Sequence, residues 1–384
     1  MQRVLIATDG SVGDVFPLLP VVDALAGSGH DVRLAVPRFL GLQLRLLGRP
    51  HVVYGAGSQV SALRDARLVT NRFAGWASWR RLFVEHVTPA LREDVITAGT
   101  VIDQWSPDVV ATTTVAVAPR IAALTRGISH LALSLYPQIY RLRAPQSRTF
   151  ARRFVDEVRE LAPSLAHDRA THQVLAWGVG SGGLLLHDPA LLDRSLVPDD
   201  IEMVGYPYWD AAPSKTRDIE AADDWLDDQS TPVVLVALGA YMRDPRARQA
   251  IGDALRGCGV RLLSVNSGTS HRDSQVLSTG YLPLSRVAPR CAAVVHHGGL
   301  GTLIGALRSA RPSVVLPGAF DQAFNAALAE RAGVGLAATA VDLPVVLHRV
   351  LDAPAMTRAA ALVAKELVPA GLAAERAAAH ILAA

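Results

Sequence analysis

The stretch AAVVHHGGLGT, residues 292–302, decides the fold because it passes from a short apolar run directly into a glycine-rich turn. The run Ala292 to His296 is typical of a buried strand, and Leu303 to Ser309 has the pattern of a helix. Glycines at such a junction let the backbone approach a ligand, and the amides that begin the helix favour an anion such as phosphate. His297 and Thr302 add side-chain donors. Tight packing alone is the structural alternative for this turn.

A second polar stretch, LPGAFDQAFNA over residues 316–326, follows the next apolar run. It places the carboxylate of Asp321 beside the amide of Gln322, and adjacent acceptor and donor groups suit the hydroxyls of a sugar. An Asp at the start of a helix is also an ordinary N-cap, which is the alternative interpretation of this pair.

The first residues of the chain predict a strand, a helix and a second strand in succession. The apolar run Arg3 to Ala7 ends in the glycine-rich turn Gly10 to Asp14, and Pro17 then opens a helical pattern. Asp31 to Val36 is the next strand of this βαβ unit. A second unit is predicted over residues 107–133, so this half of the chain is α/β with a parallel sheet.

The same alternation restarts after residue 205 and predicts a second α/β domain. Residues 206–217 are proline-rich and without periodicity, as expected of a linker. New strands separated by helical stretches follow at 231–238, 260–265, 292–296 and 313–316. The sequence thus predicts two Rossmann-like parallel-sheet domains, 1–205 and 218–384, that face each other across a cleft where ligands bind. For the final helix two placements are left open: within the second domain, or packed back on the first domain.

The composition is that of a globular protein with room for two cores, since 50% of the 384 residues are hydrophobic and 19% are charged. No apolar run reaches the roughly 18 residues that span a bilayer, and the first ten residues lack a signal-peptide core, so a soluble cytoplasmic protein is expected. Cys258 and Cys291 have no CxxC spacing, which argues against disulfides and zinc. The arginines behind the net charge of +3 are spread along the chain, which argues against a nucleic-acid partner.

Taken together, the motifs resemble those of the family 1 glycosyltransferases of the GT-B fold, and in particular the bacterial branch that modifies natural products. The resemblance covers both halves of the chain and is most specific over residues 281–335. Its motifs are HHGGLGT at 296–302, Pro312, Pro317, Asp321-Gln322, Asn325-Ala326, GVG at 333–335, GSVGDVFP at 10–17 and GHDVRLA at 29–35.

The resemblance implies transfer of a sugar from a nucleoside diphosphate to an acceptor hydroxyl, with inversion at the anomeric carbon. The N-terminal domain then binds the acceptor, and the C-terminal domain binds the nucleotide sugar. Asp14 matches the position of the catalytic base. The donor-binding positions that the resemblance implies are His297, Gly299, Gly301 and Thr302 for the diphosphate, Asp321 and Gln322 for the sugar hydroxyls, Tyr281 and Leu282 for the nucleobase, and Gly13 of the first loop.

Two departures from the family pattern bear on these roles. After the strand Val233 to Leu238, relatives usually place Gly-Ser or Gly-Thr to reach the diphosphate, whereas this chain has Gly239-Ala240. One phosphate contact is therefore missing or replaced. In the first loop, Val12 stands where this branch often has arginine, which removes the electrostatic help that an arginine would give there.

A one-step displacement needs a base for the acceptor proton and stabilisation of the departing diphosphate, but no protein nucleophile. Asp14 suits the first task, and capping of the helix that begins near Pro17 is the structural alternative for it. The sequence has no Asp-x-Asp, and its histidines are scattered apart from the adjacent pair His296-His297. A metal-independent reaction without a cofactor is therefore predicted.

The partners expected from the resemblance are a nucleoside-diphosphate sugar, either a dTDP-deoxysugar or a UDP-sugar, and a small lipophilic acceptor. An aromatic stripe at helical spacing forms either core or a pocket wall for that acceptor. Its members are Phe73, Trp76, Trp79, Phe83 and Val87. Tyr136 to Tyr140 is a second candidate wall. Homodimer formation is left open.

Two other functions are compatible with the same motifs. A catalytically inactive partner of another transferase would keep a sugar-nucleotide site, but Asp14 together with Asp321-Gln322 argues against it. A glycolipid glycosyltransferase or a sugar-nucleotide epimerase would use the same scaffold. The glycolipid enzyme would need an apolar or basic surface patch, and the sequence shows no run of that kind.

Overall fold

The computed structural model describes residues 1–55, 88–137, 160, 183–211, 216–228, 230–239, 245–265 and 270–384. These residues form two compact units. The first contains the described residues up to Trp209 together with residues 368–384, and the second contains those between Asp210 and Leu367. The chain thus changes unit within the proline-rich stretch 206–217.

The first unit is an α/β sandwich built on a parallel sheet. Its strands in the described residues are β1 (Arg3–Ala7), β2 (Asp31–Pro37), β3 (His51–Tyr54), β4 (Val109–Thr113), β5 (Ser129–Ser134), β6 (Leu184–Leu185) and β7 (Glu202–Met203). Its helices there are α1 (Val12–Val15), α2 (Leu18–Gly27), α3 (Arg38–Leu46), α4 (Thr88–Trp105) and α5 (Val117–Leu124). The sheet order is β3-β2-β1-β4-β5-β6-β7, and every neighbouring pair is parallel.

The burial of the central strands explains why this sheet forms. All five residues of β4 are buried, as are Val4 to Ala7 of β1. Continuous apolar strands of this kind belong in a parallel sheet that helices cover on both faces. On one such helix, α2, the residues Leu18, Val21 and Leu25 recur at helical spacing and are fully buried.

The second unit repeats the architecture around its own core. Its strands in the described residues are β8 (Val233–Ala237), β9 (Arg261–Ser264), β10 (His271–Arg272), β11 (Val276–Ser278), β12 (Ala293–His296), β13 (Ser313–Val315) and β14 (Gly335–Ala337). The helices that accompany them are α6 (Thr216–Asp227), α7 (Pro245–Arg256), α8 (Leu284–Val287), α9 (Leu300–Arg308), α10 (Gln322–Arg331), α11 (Leu343–Leu351) and α12 (Pro354–Glu366). The sheet order is β10-β11-β9-β8-β12-β13-β14, and only β10 pairs in the antiparallel sense among these strands.

The two parallel sheets confirm the α/β fold class that the sequence predicts. Each of the predicted strands is present, with ends that differ by no more than two residues from the prediction. The short strands β3, β6, β7, β10, β11 and β14 were not predicted. The prediction of a plain turn from Gly10 to Asp14 is wrong in part, because Val12 to Val15 form the single helical turn α1. None of the helices in the described part of the chain is long and apolar enough to cross a membrane.

The last helix, α13 (Ala370–Ala383), belongs to the first unit and packs against α2. The segment that leads into it is held by Asp188, whose Oδ2 accepts the backbone N–H of Val368 at 2.9 Å. Gly205 makes room for this segment. Its φ is +97°, and a Cβ at this position would lie 2.7 Å from Cβ of Val368 and 3.0 Å from Cβ of Ala373.

Gly205→Ala is expected to lower the free energy of unfolding by about 2–4 kcal/mol, because it combines left-handed backbone strain with a steric overlap against Val368. Urea unfolding monitored by circular dichroism measures this loss. Gly27→Ala is the matched control, since a Cβ on this residue of α2 meets nothing within 4 Å. The control is expected to be neutral or slightly stabilising. Equal unfolding midpoints for the two variants would contradict this account of Gly205.

Candidate active site

Asp14 lies after the carboxyl end of β1, as the third residue of the one-turn helix α1. Its side chain is 3% exposed. Oδ2 accepts the backbone N–H of Ser11 at 2.7 Å and the Ser11 hydroxyl at 3.1 Å, which forms a capping box at the start of α1. The carboxyl group packs directly on Cα of Gly10, where any Cβ would overlap it. The glycine therefore lets the carboxylate fold back over the turn.

The alternative prediction that Asp14 caps the helix near Pro17 is wrong in its details. Pro17 itself is the N-cap residue of α2, and no side chain caps that helix. Asp14 instead belongs to the capping box of α1, so its carboxylate has a local structural role whatever its chemistry. Gly13 also serves this box, because its N–H donates to the Ser11 hydroxyl at 3.2 Å, and Gly13 is exposed.

Tyr136 donates its hydroxyl proton to Oδ1 of Asp14. The sequence marked Tyr136 as a candidate wall for the acceptor and gave no sign of this contact, which joins residues 122 positions apart. Burial raises the pKa of Asp14 above its ordinary value, and the hydrogen bonds from Tyr136 and Ser11 act against this rise. The result is a desolvated carboxylate held from two sides, a setting that suits a general base.

A small polar network fixes the turn that carries Asp14. The Thr8 hydroxyl accepts the Gly10 N–H at 3.3 Å and a proton from the Thr113 hydroxyl at 2.9 Å. The hydroxyl of Tyr54 donates to the Thr8 carbonyl at 3.1 Å. The residues come from β3, from the end of β1 and from β4, so three strands hold this one turn.

In the second unit, the turn from β12 to α9 is shaped by His296 and Gly298. His296 Nδ1 accepts the Gly298 N–H at 3.1 Å, and burial lowers the pKa of His296 to about 3, so the ring is neutral. Gly298 has a φ of +91°, and a Cβ there would lie 2.9 Å from the carbonyl oxygen of Gln322. Only glycine fits this close approach of two loops.

The imidazole of His297 lies between two glycines. A Cβ at Gly239 would come within 2.5 Å of Cε1, and a Cβ at Gly299 within 2.6 Å of Nε2. Nδ1 lies 3.4 Å from the carbonyl oxygen of Ala237, and because a carbonyl only accepts, Nδ1 carries the proton. Burial lowers the pKa of His297, the Ala237 carbonyl opposes this, and the charge of Arg248 adds to it. The ring is neutral at pH 7 and turns its unprotonated nitrogen away from Ala237.

Arg248 is a cation beside this ring that the sequence reasoning missed. It lies in the first turn of α7, and its guanidinium donates to the carbonyl of Gly239 at 2.7 Å. Burial lowers its pKa, but an arginine stays charged at neutral pH. The sequence shows only that Arg248 is the fourth residue of a helix that follows β8. It gives no indication that this side chain bonds the carbonyl of Gly239.

Gly299, Gly301 and Thr302 lie together at the start of α9. Gly299 is the N-cap residue, and no side chain caps the helix. All three are partly exposed. The helix α9 thus begins beside the imidazole of His297, and the N-terminal end of a helix favours a negatively charged group.

Asp321 and Gln322 begin α10 and are tied to the turn of His297 by Asn325. The Asn325 amide donates to the carbonyl of Gly298 at 2.8 Å and to Oδ2 of Asp321 at 2.7 Å. Asp321 occupies the N-cap position without a side-chain cap bond. Gln322 Oε1 accepts the N–H groups of Gly318 and Ala319 at 2.8 and 3.0 Å. The capping alternative therefore does not describe the Asp321 side chain.

Tyr281 and Leu282 differ from each other in accessibility. The Tyr281 hydroxyl donates to the carbonyl of Asp210 at 2.7 Å, where the chain enters the second unit. Leu282 is 1% exposed and belongs to the core beside Val287 and Val294. Its side chain is thus core, and only its main chain can contact a ligand.

Among the predicted donor residues, the turn of His297 and the pair Asp321-Gln322 are brought together through Gly298 and Asn325. Tyr281 and Leu282 lie in the same unit, whereas Gly13 lies with Asp14 in the first. The aromatic stripe of residues 73–87, the residues Gln138 to Tyr140 and Ala240 lie outside the described residues. Within the described ranges, no group of three or more His, Cys, Asp or Glu side chains is arranged to hold a metal ion.

Comparison with known proteins relates both units to enzymes that transfer sugars. Residues 264–381 match the family model described as erythromycin biosynthesis protein CIII-like, C-terminal domain. Aklavinone 7-beta-L-rhodosaminyltransferase of Streptomyces galilaeus is 24% identical, over 89% of this chain and 87% of its own.

Solved structures give the same result for the fold. Glycosyltransferase SsfS6 of Streptomyces sp. SF2575 in complex with thymidine diphosphate superposes with a TM-score of 0.71 at 21% identity, covering 98% of this chain and 99% of its own. Glycosyltransferase VinC in complex with dTDP has a TM-score of 0.74 at 20% identity, covering 99% and 98%. The resemblance that the motifs indicated is thus confirmed: the chain has the GT-B fold of these glycosyltransferases, it is similar over most of its length to a transferase that acts in antibiotic biosynthesis, and its residues 264–381 match the EryCIII-like C-terminal domain.

Proposed function

We propose that the protein moves a sugar from a nucleoside-diphosphate sugar to a hydroxyl of a lipophilic natural product, with inversion at the anomeric carbon and Asp14 as the base. The observation that carries this proposal is the buried carboxylate of Asp14, held by Ser11 and Tyr136 at the carboxyl edge of the first sheet. The name of the rhodosaminyltransferase gives aklavinone as its acceptor, and SsfS6 was solved with thymidine diphosphate. These relatives support dTDP-deoxysugars as the first choice of donor and UDP-sugars as the second.

In the proposed step, the acceptor oxygen attacks the anomeric carbon while the bond from that carbon to the diphosphate breaks. Asp14 takes the acceptor proton, and the diphosphate leaves with the bonding electron pair. The base must be unprotonated to act, so turnover is lost as the pH falls through the pKa of Asp14. Because burial raises this pKa, the loss is expected at a higher pH than for an exposed aspartate.

The charge of the departing diphosphate is proposed to be met by His297, Arg248 and the amides that begin α9. Arg248 takes over the contact that the family usually makes through a hydroxyl after Gly239, since its guanidinium already lies at the Gly239 carbonyl. Oriented donors of this kind stabilise charge as it develops. The absence of Asp-x-Asp from the sequence supports a metal-independent reaction, for which we propose no cofactor.

The sugar hydroxyls are proposed to be bound by Asp321 and Gln322. Asn325 holds Oδ2 of Asp321, which orients the carboxylate as an acceptor for hydroxyl groups. Gln322 uses Oε1 for two backbone amides, so its Nε2 is the atom that donates to the sugar.

Asp14→Asn is expected to reduce turnover by about a hundredfold or more while donor affinity stays nearly unchanged, because asparagine keeps the size of the side chain but does not take up a proton. The rate is measured with aklavinone as the acceptor and a dTDP-deoxysugar as the donor, the affinity by calorimetry with dTDP and UDP, and folding by the melting temperature. Asp31→Asn, which changes an exposed carboxylate of the same unit, is the control. A folded Asp14→Asn enzyme with the parental rate would remove Asp14 as the base.

Affinity for dTDP is expected to weaken as the pH rises through the pKa that His297 has in the complex. The free ring is neutral with its proton on Nδ1, so donation from Nε2 to a phosphate requires uptake of a proton, and the bound anion raises the pKa that burial had lowered. Because binding takes up a proton, the affinity for dTDP increases at low pH, by up to about tenfold for each pH unit.

His297→Asn is the control for this pH dependence, because asparagine does not titrate and the remaining dependence belongs to the nucleotide. Calorimetry in buffers of different ionisation enthalpy measures the proton uptake directly. The same number of protons taken up by the parent and by His297→Asn would show that His297 does not bind the diphosphate through Nε2.

Asp321→Asn is expected to impair turnover of the sugar nucleotide about tenfold or more and to leave the affinity for bare dTDP within about twofold, because the carboxylate contacts hydroxyls that dTDP lacks. Steady-state kinetics and calorimetry provide the two values. Asp352→Asn, an exposed change in the same unit, controls for the loss of one charge. Equal losses in both values would assign Asp321 a structural role.

A further inference from the structure

Tyr136 reaches Asp14 from a separate element of the first unit. It follows directly after β5, and its N–H donates to the hydroxyl of the buried Ser134 at 3.2 Å, which anchors the backbone at the end of the strand. Pro137 then restricts Tyr136 to an extended backbone. The phenol hydroxyl is thereby directed at Oδ1 of Asp14, while Ser11 holds Oδ2.

We propose, on the basis of Asp14 as the base, that Tyr136 is a positioning residue whose hydroxyl fixes the orientation of the Asp14 carboxylate and keeps it ionised at neutral pH. The capping box alone holds only one carboxylate oxygen, and Ser11 lies on the same turn as Asp14. Tyr136 holds the second oxygen from the loop after β5. The carboxylate plane is thus defined by two elements and does not rotate with the helical turn.

The groups around Asp14 support this role for Tyr136. Burial raises the pKa of Asp14, and among the groups that lower it the Tyr136 hydroxyl has the largest effect, ahead of Ser11 and the backbone. Among the described residues, no charged side chain contributes to the shift in the pKa of Asp14. The nearby carboxylate of Asp9 instead raises the pKa of Tyr54. A hydrogen bond from a neutral hydroxyl therefore lowers the pKa of this buried carboxyl group, as a nearby cation does for many others.

Tyr136→Phe is the experiment, because it removes one hydroxyl and keeps the ring. We expect the acid limb of the kcat pH profile to move up by about one pH unit, turnover at neutral pH to fall about threefold to thirtyfold, and the KM for the donor to stay unchanged. Carbon-13 NMR of the labelled Asp14 carboxyl gives the same titration without turnover. Thr125→Val is the control, since it removes a partly buried hydroxyl from the same unit that bonds the carbonyls of Ile121 and Ala122 at the end of α5, away from the Asp14 turn. It is expected to lower stability and leave the acid limb in place.

An unchanged acid limb in folded Tyr136→Phe, with Asp14→Asn inactive, would overturn this inference and leave the proposed function intact. Full activity in Asp14→Asn would overturn both. If Tyr136→Phe does not fold, replacement of Tyr136 alone by 3,5-difluorotyrosine tests the same point with the opposite sign. The more acidic phenol is a stronger donor, so the acid limb is expected to move to lower pH, and a limb that stays in place would again contradict the proposal.

Discussion

The parallel pairing of the strands is the constraint on which the candidate residues of each unit depend. Parallel strands end at one edge of their sheet, so the loops after β1, β4 and β5 meet in the first unit and those after β8, β12 and β13 meet in the second. Asp14 and Tyr136 become neighbours for this reason, although they are 122 positions apart. Gly239 and His297 are brought together in the same way.

Asn325 adds a second constraint inside the second unit. It is 2% exposed, and its amide bonds both the Gly298 carbonyl and the Asp321 carboxylate. The loop assigned to the diphosphate and the residue assigned to the sugar are thus fixed relative to each other by one side chain. Under the proposed assignment, a donor whose diphosphate binds the loop would place its sugar at a fixed distance from Asp321, and such a rigid site distinguishes a whole sugar nucleotide from either of its parts.

The sequence predicted the fold well because apolar runs of β-branched residues report strands directly, as Val233 to Ala237 and Ala293 to His296 show. It also grouped the donor residues, because the glycines around His297 are visible as a motif. The partners of those residues were not predictable. The contacts of Tyr136 with Asp14 and of Arg248 with Gly239 depend on which loops the sheet brings together, and no local pattern records that. Short edge strands such as β10 carry too few residues to show a period.

The course of the chain has a consequence for the order in which the units fold during synthesis. The first unit includes α13, so the segment from Asp210 to Leu367 is inserted between two parts of one folding unit. The described part of the second unit is one continuous segment, so it can close its core once this segment has left the ribosome. Most of the first unit is made earlier but waits for α13, so the side of α2 that α13 contacts stays uncovered until α13 has been synthesised. The half of the chain that is synthesised first is therefore the half that is completed last.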